Sequence, residues 1–229
     1  MAKTTNNVRV GLVDDHSLML SALALLVDSM DGFVTAWTCD DPRKAVSKIE
    51  EDAPDVLVVD LSMPERSGLE LIKDVGALRK DMPVLVLSMM DETLYAQRVL
   101  KAGARGYVMK EASNEQLEAA LRRVVSGGIA VSPSMAERMI EAYSTGVEMS
   151  DQGFLDRLTD REFEVFQLVG ECNTGNQIAE ALGISPKTVD VHKSKIRSKL
   201  ELNQGDSLSA FAIRWVETQR LTRSGDSRQ

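Results

Sequence analysis

An alternation of short apolar runs with longer amphipathic stretches constrains the fold of the first half most strongly. The apolar runs cover residues 8–13, 33–37, 56–59, 84–87 and 106–109. The amphipathic stretches cover residues 18–30, 42–51, 69–79, 93–102 and 115–125. Five strands alternating with five helices predict a parallel sheet covered by helices on both faces. Helical spacing places Leu18, Ala22, Leu25 and Leu26 together on one apolar face of the first helix.

The second half has a different pattern, because residues 159–218 contain no convincing strand. Thr159 and Glu162 form a capping box, and apolar residues follow at helical spacing. A second helix is predicted at 175–182, and a tight turn follows at Gly183. Ser185 and Pro186 then begin a third helix, and a fourth covers about 206–218. This pattern predicts an all-α, four-helix helix-turn-helix domain.

Length and composition agree with two domains, since 229 residues exceed the usual domain size of about 100–150 residues. We predict a first domain over 6–128, a linker with a short helix over 129–154, a second domain over 155–220 and a disordered tail over 221–229. No apolar run approaches the roughly 18–20 residues needed to cross a bilayer, and no leader is seen. With two cysteines in different halves, we expect a cytoplasmic protein with no membrane contact.

Charge is unevenly distributed along the chain. Residues 1–153 contain 16 Lys and Arg against 24 Asp and Glu, whereas residues 154–229 contain 11 of each. The second half therefore shows no general attraction for nucleic acid. Residues 185–199 nevertheless hold five basic residues against Asp190 alone. Such a run marks either a solvated helix face or a DNA contact.

Polar residues stand where the predicted parallel strands end, and ligands bind at that edge of such sheets. In a sheet of order 2-1-3-4-5, Asp14, Asp15, Asp60, Ser88 and Lys110 would converge on one edge. Converging carboxylates repel each other, and a hard cation such as Mg²⁺ resolves the conflict. Taken singly, Asp15 or Asp60 could be a helix cap and Lys110 a surface lysine. The combination predicts a magnesium and phosphate pocket, bordered by His16, which is interpreted as a first-turn helix residue.

Projection of the third helix of the second half separates two faces. Val189, His192, Ile196 and Leu200 share the face that packs on the domain. His192 is interpreted as a satisfied packing residue. Val191 points outward among polar residues, which suits contact with a thymine methyl in a major groove. Lys193 falls on the flank, where contact with phosphate is favoured over contact with bases.

The first half resembles the receiver domains of bacterial two-component response regulators, through VDDH, DLSMP followed by Gly68, LSM at 87–89 and GYVMK at 106–110. The resemblance implies a flavodoxin-like receiver in which Asp60 accepts phosphate from a sensor histidine kinase. It implies Mg²⁺ held by Asp14, Asp15, Asp60 and the backbone carbonyl of Ser62. Lys110 would pair with the phosphoryl oxygens. Ser88 would move to hydrogen-bond the phosphate, and Tyr107 would follow it inward.

The second half resembles the DNA-binding domain of NarL/FixJ-class, or LuxR-type, response regulators, through LTDREFEV at 158–165 and QIAEALGISPKTVDVHKSKIRSKL at 177–200. The resemblance implies that the third helix enters the major groove of double-stranded DNA. Residues able to face bases would be Asp190, Val191 and Ser194. Residues contacting phosphates would be Lys187, Thr188, Lys193 and Lys195. Position 190 is Asp where some members carry Lys, and an acceptor there suits cytosine N4.

Together the two halves predict a DNA-binding response regulator that is controlled by phosphorylation and is not an enzyme in turnover. An Mg²⁺-dependent aspartyl-phosphate phosphatase or phosphotransferase, and a DNA-binding pseudo-receiver that needs no phosphorylation, remain as alternatives. One recognition helix reads few base pairs, so a homodimer is expected. The dimer contact is predicted on the fourth helix, at Leu208, Phe211, Ala212 and Trp215, with intradomain core as the other interpretation of that face.

Overall fold

The chain divides into two compact units, with the division between Ser144 and Thr145. A computed structural model describes residues 7–63, 66–145, 155–203 and 205–226. The first unit extends beyond the predicted boundary at 128, because the helix of the predicted linker groups with it. The last part of the predicted linker, residues 146–154, lies outside the described residues.

The first unit contains the predicted five-stranded parallel sheet. Its order is β2-β1-β3-β4-β5, as expected. The strands are β1 (Val8–Val13), β2 (Phe33–Cys39), β3 (Val56–Val59), β4 (Val84–Ser88) and β5 (Gly106–Met109). All residues of β3 and β4 are buried, which explains why these strands are apolar throughout and do not alternate.

One helix follows each strand, and the five predicted helices of the strand and helix alternation are confirmed to within one residue at either end. They are α1 (Ser17–Ser29), α2 (Pro42–Glu51), α3 (Gly68–Leu78), α4 (Glu92–Ala102) and α5 (Asn114–Val125). The side chains of Asp41, Ser67, Asp91 and Ser113 each accept a backbone N–H in the first turn of α2 to α5. These caps explain why the helices begin where they do.

The buried face of α1 differs from the expected one. Leu20, Leu23 and Val27 pack into the core with β1, β3 and α5. Leu18 and Leu25 are instead 84% and 74% exposed. The prediction that grouped Leu18, Ala22, Leu25 and Leu26 as the core-facing stripe is therefore wrong, except that Leu26 is partly buried.

The segment after α5 is fastened to the edge of the sheet. The backbone of Ala130 accepts a hydrogen bond from Tyr107 and donates one to Arg105, at 2.8 and 2.9 Å. Helix α6 (Pro133–Thr145) follows, with Ser132 Oγ accepting the N–H of Met135. The short helix predicted for the linker is therefore present, with Ser132 as its cap and Pro133 in its first turn.

Among its described residues, the second unit contains helices joined by turns, and no strand. After a short 3-10 turn (Leu155–Arg157) come α7 (Asp160–Gly170), α8 (Gly175–Ala181), α9 (Pro186–Lys199) and α10 (Leu208–Asp226). Thr159, Thr174 and Ser185 cap the first three helices. The predicted disordered tail is wrong for residues 221–226, which continue α10, while 227–229 lie outside the described residues.

Within the described residues, every helix is too short or too polar to span a bilayer.

Candidate functional site

Strand pairing brings the polar residues of the first unit to one edge of the sheet. Val13 of β1 pairs with Val59 of β3, so Asp14 and Asp60 leave neighbouring strands side by side. The backbone N–H of Asp60 donates to Val13 at 2.9 Å. At the other side, the backbone N–H of Lys110 donates to Ser88 at 2.9 Å. The predicted convergence of strand ends is therefore confirmed.

Lys110 joins the two most buried carboxylates of this edge. Its Nζ lies 2.6 Å from Asp14 Oδ2 and 2.9 Å from Asp60 Oδ2. The Lys110 side chain is 6% exposed, and the two carboxylates are as deeply buried. Burial alone would lower the pKa of Lys110, but the hydrogen bonds to both aspartates outweigh it and raise the pKa. Lys110 is therefore a buried ion-pair partner and not a surface lysine.

Asp15 adds a third carboxylate that Lys110 does not reach. Its pKa is raised, mainly by burial, while nearby His16 lowers it and Asp14 and Asp60 raise it further. Asp14, Asp15, His16 and Asp60 each offer a ligand atom, and the four atoms lie within 4.8 Å of one another. Among the described residues, Asp60 Oδ1 finds no hydrogen-bond partner although it is buried. A divalent cation fits this group, because it would satisfy that oxygen and relieve the repulsion.

Gly68 fixes the position of Asp60 from the opposite side. A Cβ at this residue would overlap the backbone carbonyl oxygen of Asp60 and lie 2.9 Å from Leu61 Cα. The Gly68 N–H donates to the Leu61 carbonyl at 3.1 Å. The start of α3 therefore packs directly on the loop that carries Asp60, and only glycine allows that approach. Ser62, the predicted carbonyl ligand, is exposed two residues after Asp60.

Ser88 and Tyr107 are joined through the backbone of Met90. Ser88 is fully buried, and its Oγ accepts the Met90 N–H at 3.2 Å. The Tyr107 hydroxyl donates to the Met90 carbonyl at 2.6 Å. Burial raises the pKa of Tyr107, so the hydroxyl stays protonated and remains a donor. Tyr107 already occupies the inward position that was expected to follow phosphorylation.

Glu92 is a residue of this region that sequence reasoning missed. It is buried, and its Oε1 accepts the backbone N–H of Ser132 at 2.8 Å. Ser132 in turn caps α6. The first turn of α4 is thereby connected to the first turn of α6. Because the two residues are 40 positions apart, periodicity and capping rules could not have paired them.

The exposed face of α9 agrees with the projection from the sequence. Val189 and Ile196 are fully buried, and His192, Lys193 and Leu200 are half-buried. Val191 is 47% exposed. The other residues exposed on the same face are Lys187, Asp190, Ser194 and Lys195, while Thr188 is half-buried. The structure thus presents a polar, mainly basic surface with one apolar side chain.

An ion pair holds α9 against α7. Lys199 Nζ lies 2.6 Å from Glu162 Oε2, and Glu162 is buried. Glu162 also completes the capping box by accepting the Thr159 N–H at 2.8 Å. Burial would raise the pKa of Glu162, but the hydrogen bonds from Lys199 and Thr159 outweigh it and lower the pKa. One carboxylate therefore both begins α7 and anchors the end of α9.

His192 packs as predicted, but the expectation that its polar atoms are satisfied is wrong. Among the described residues, its Nδ1 has no hydrogen-bond partner. Its pKa is lowered, first by burial and then by the positive charges of Arg161 and Lys195. The ring is therefore a neutral packing group beneath the exposed face.

The predicted dimer contact on α10 belongs to the core of the second unit. Trp215 packs against Phe163 and Phe166 of α7, with ring centroids 5.9 and 5.4 Å apart, and Phe211 lies 6.1 Å from Phe166. Leu208 and Ala212 are buried as well. The structure does not support a dimer contact at Leu208, Ala212 and Trp215, because these residues are buried, and Trp215 packs on α7, as does half-buried Phe211. The intradomain interpretation is the correct one.

Fold and sites together define a class of protein. A five-stranded parallel α/β unit carries an acidic pocket with a buried lysine, and a helical unit presents an exposed helix with basic residues. Such a chain joins a unit with a candidate cation pocket to a unit with a candidate nucleic-acid-binding helix.

Comparison with known proteins agrees with this class. Residues 10–122 match the family described as the response regulator receiver domain, and residues 156–211 match the bacterial regulatory proteins of the luxR family. The transcriptional regulatory protein DegU of Brevibacillus brevis is 33% identical over 93% of this chain and 96% of its own length. The oxygen regulatory protein NreC of Staphylococcus carnosus is 32% identical, with coverage of 90% and 97%.

One solved structure matches nearly the whole chain, and a second matches a part of it. RcsB from Salmonella enterica serovar Typhimurium, bound to promoter rprA in the presence of the phosphomimetic BeF3−, gives a TM-score of 0.59 at 25% identity and covers 90% of this chain and 98% of its own. A LuxR-family two-component response regulator from Aurantimonas gives 0.56 at 27% identity, with coverage of 60% and 99%. The chain belongs to the DNA-binding response regulators that join a receiver domain to a LuxR-type helix-turn-helix domain.

Proposed function

We propose that a sensor histidine kinase phosphorylates this transcription regulator on Asp60, with Mg²⁺ bound at Asp14, Asp15, Asp60 and the Ser62 carbonyl. The observation that supports this proposal most directly is that the two oxygens of the Asp60 carboxylate have different surroundings. Lys110 donates to Oδ2, while buried Oδ1 has no hydrogen-bond partner among the described residues, and Asp60 is one of the four residues that could hold a metal ion. The Asp60 carboxylate thus lies between the Lys110 ammonium and a site for a metal cation.

The chemistry follows from positioning and charge. A carboxylate oxygen of Asp60 attacks phosphorus, the bond from phosphorus to the donor's imidazole nitrogen breaks, and an acyl phosphate forms on Asp60. A bound Mg²⁺ supplies neutralisation of the phosphoryl charge. Lys110 lies close enough to Asp60 to pair with the new phosphoryl oxygens. Its raised pKa keeps it protonated for this role.

Ser88 is the residue that we propose to respond to the phosphoryl group. Its Oγ accepts the N–H of Met90, and the Met90 carbonyl accepts the Tyr107 hydroxyl, which also interacts with the Ser88 side chain. A shift of Ser88 toward phosphate would change the contacts of Met90 and Tyr107 together. The new charge is thereby converted into a rearrangement at the start of α4 and along β5.

In the second unit, we propose that α9 enters the major groove of DNA. Asp190, Val191 and Ser194 would face bases, and Lys187, Thr188, Lys193 and Lys195 would contact phosphates. A homodimer would double the site that one helix reads. Because Leu208, Ala212 and Trp215 are buried within the second unit, we propose that the dimer contact uses other surfaces. Binding of DNA and of a bacterial kinase also leads us to propose a cytoplasmic location.

Incubation with a small phosphodonor and Mg²⁺ tests the proposal. We expect up to one acid-labile phosphate per chain, lost in Asp60→Asn and retained in the matched control Asp81→Asn, which changes an exposed aspartate before β4. DNA affinity should change on phosphorylation in the wild type and in the control only. Repeated turnover on phosphate monoesters would support the phosphatase alternative. Unchanged promoter occupancy by Asp60→Asn in cells would support the pseudo-receiver alternative.

A further inference from the structure

His16 stands at the entrance of α1 without acting as its cap. Its backbone occupies the N-cap position, with φ −89° and ψ 98°, but its side chain makes no capping hydrogen bond. The ring lies instead over the acidic pocket. Nδ1 is 2.9 Å from Asp15 Oδ1 and 3.2 Å from Asp14 Oδ1, and the side chain is 66% exposed. The ring is therefore next to the candidate cation site and open to solvent on its other side.

These distances match neighbouring ligands of one ion. Ligand atoms at about 2.1 Å from a metal and at right angles to each other are about 3.0 Å apart. The two distances from His16 Nδ1 to carboxylate oxygens fall on either side of this value. Opposite ligands of such an ion are about 4.2 Å apart. That spacing also fits within the 4.8 Å that contains one ligand atom from each of the four residues.

The contact between His16 and Asp15 is not a hydrogen bond. Asp15 Oδ1 finds no hydrogen-bond partner among the described residues, although His16 Nδ1 is only 2.9 Å away. Asp60 Oδ1 is likewise buried and without such a partner there. Lys110 binds the other oxygen, Oδ2, of both Asp14 and Asp60. Asp14 Oδ1 accepts the His16 backbone N–H at 2.9 Å and lies 3.2 Å from His16 Nδ1. Asp15 Oδ1 and Asp60 Oδ1 are the oxygens that remain available to a cation next to the imidazole nitrogen.

We propose that His16 is a nitrogen ligand through which this pocket prefers a first-row transition ion, such as Co²⁺, Ni²⁺ or Zn²⁺, to Mg²⁺. The inference rests on the proposed cation site. Magnesium takes oxygen ligands and keeps several waters, so the carboxylates are sufficient for it. Imidazole suits the transition ions, whose affinities also rise along the series from manganese to copper. His16 therefore selects among cations and is not needed for magnesium to bind.

A different role for His16, as a positive counter-charge to the carboxylates, makes the opposite prediction. Removing a counter-charge would leave the pocket more negative, and every divalent cation would bind more tightly. Removing a ligand weakens only those ions that bind it. The two roles are therefore separated by comparing an ion that takes nitrogen with one that does not.

The experiment measures Co²⁺ and Mg²⁺ dissociation constants on the full chain by competition titration. The variants are His16→Gln and, as the matched control, His192→Gln, since these are the two histidines of the protein. We expect His16→Gln to weaken Co²⁺ binding by at least about tenfold and to leave Mg²⁺ binding unchanged, because one inner ligand is lost. His192→Gln should change neither constant.

Pulsed electron paramagnetic resonance of bound Mn²⁺ provides a direct second readout. A ¹⁴N coupling from imidazole should be present in the wild type and in His192→Gln, and absent in His16→Gln. Equal changes in Co²⁺ and Mg²⁺ affinity, or no ¹⁴N coupling in the wild type, would overturn the role of His16. Failure of Mg²⁺ to bind the wild type at all would instead overturn the proposed cation site itself.

Discussion

At the scale of single residues, Lys110 determines whether the acidic pocket is compatible with folding. Its ammonium group donates hydrogen bonds to the carboxylates of Asp14 and Asp60, which are 2% and 3% exposed. We expect Lys110→Met to lower the free energy of unfolding of the first unit by about 3–5 kcal/mol at pH 7, because both charges lose their partner. Urea unfolding measures this. Lys80→Met, at an exposed lysine, is the control, and equal losses in the two variants would contradict the prediction.

Glu162 gives the second unit a pH-dependent stability. Its pKa is lowered from 4.5 in the folded state, so its ionisation stabilises the fold above about pH 4.5, and this contribution is lost as pH falls below that value. Glu162→Gln keeps the capping box but removes the charge that pairs with Lys199. We expect the variant to be less stable at pH 7, with a difference that shrinks as pH falls through 4. A difference independent of pH would show that the charge has no role.

Much of the receiver pocket could be predicted from the sequence, because residues that follow parallel strands must meet at one edge of the sheet. The placement of Asp14, Asp60, Ser88 and Lys110 needed only the strand order. The division of carboxylate oxygens between Lys110 and the His16 side could not be predicted. It depends on side-chain torsions that no spacing rule specifies.

At the scale of elements, we expect different residues of α9 to determine the preference for a DNA sequence and the general affinity for DNA. We expect Lys193→Ala to weaken DNA binding similarly across sequences and to reduce the slope of affinity against salt by about one, since one phosphate contact is lost. Val191→Ala should leave the salt slope unchanged and relax preference at one base pair, because it removes an apolar contact. Binding to a panel of operators at several salt concentrations measures both. Equal loss of preference in both variants would contradict the exposed-face assignment.

The connection between α4 and α6 depends on one carboxylate. Glu92→Ala leaves the Ser132 N–H without its partner, and we expect the first unit to lose about 1–3 kcal/mol of stability. Amide hydrogen exchange should become faster at the start of α6, at Ser132 and Met135. Glu137→Ala, at an exposed position within α6, serves as control. Protection of Ser132 that is unchanged in Glu92→Ala would show that the contact does not hold the helix.

Helices α1 and α10 show why the partner and position of a helix's buried face are harder to predict than the helix itself. In α1, both Leu18 with Leu25 and Leu20 with Val27 fit helical spacing, because the helix is apolar nearly all round. The covering sheet and α5 decide which pair is buried. In α10, apolar spacing correctly indicated a buried face, but spacing cannot distinguish a partner chain from α7 of the same unit.

At the scale of the whole molecule, each unit has its own core and one of the two tryptophans. Trp37 is half-buried and donates to the Asp52 carbonyl at 2.8 Å, whereas Trp215 lies in the aromatic core of the second unit. We expect saturating Mg²⁺ to stabilise the first unit by about 2–3 kcal/mol at roughly one hundred times its dissociation constant. In Trp215→Phe, the fluorescence of the remaining Trp37 follows unfolding of the first unit, and its urea midpoint should shift when Mg²⁺ is added. The midpoint in Trp37→Phe should not shift, and an equal shift in both would contradict independent units.

Gly68 has a consequence for how such a gene can diverge. Any side chain at this position displaces the loop that carries Asp60 before it disturbs the sheet, because the overlap is with the Asp60 carbonyl. We expect that a copy of the gene freed from selection for the proposed phosphorylation would accept a larger residue at 68 and still encode a folded protein. Among descendants of this chain, codon 68 would record the loss of signalling as faithfully as the aspartate codon itself.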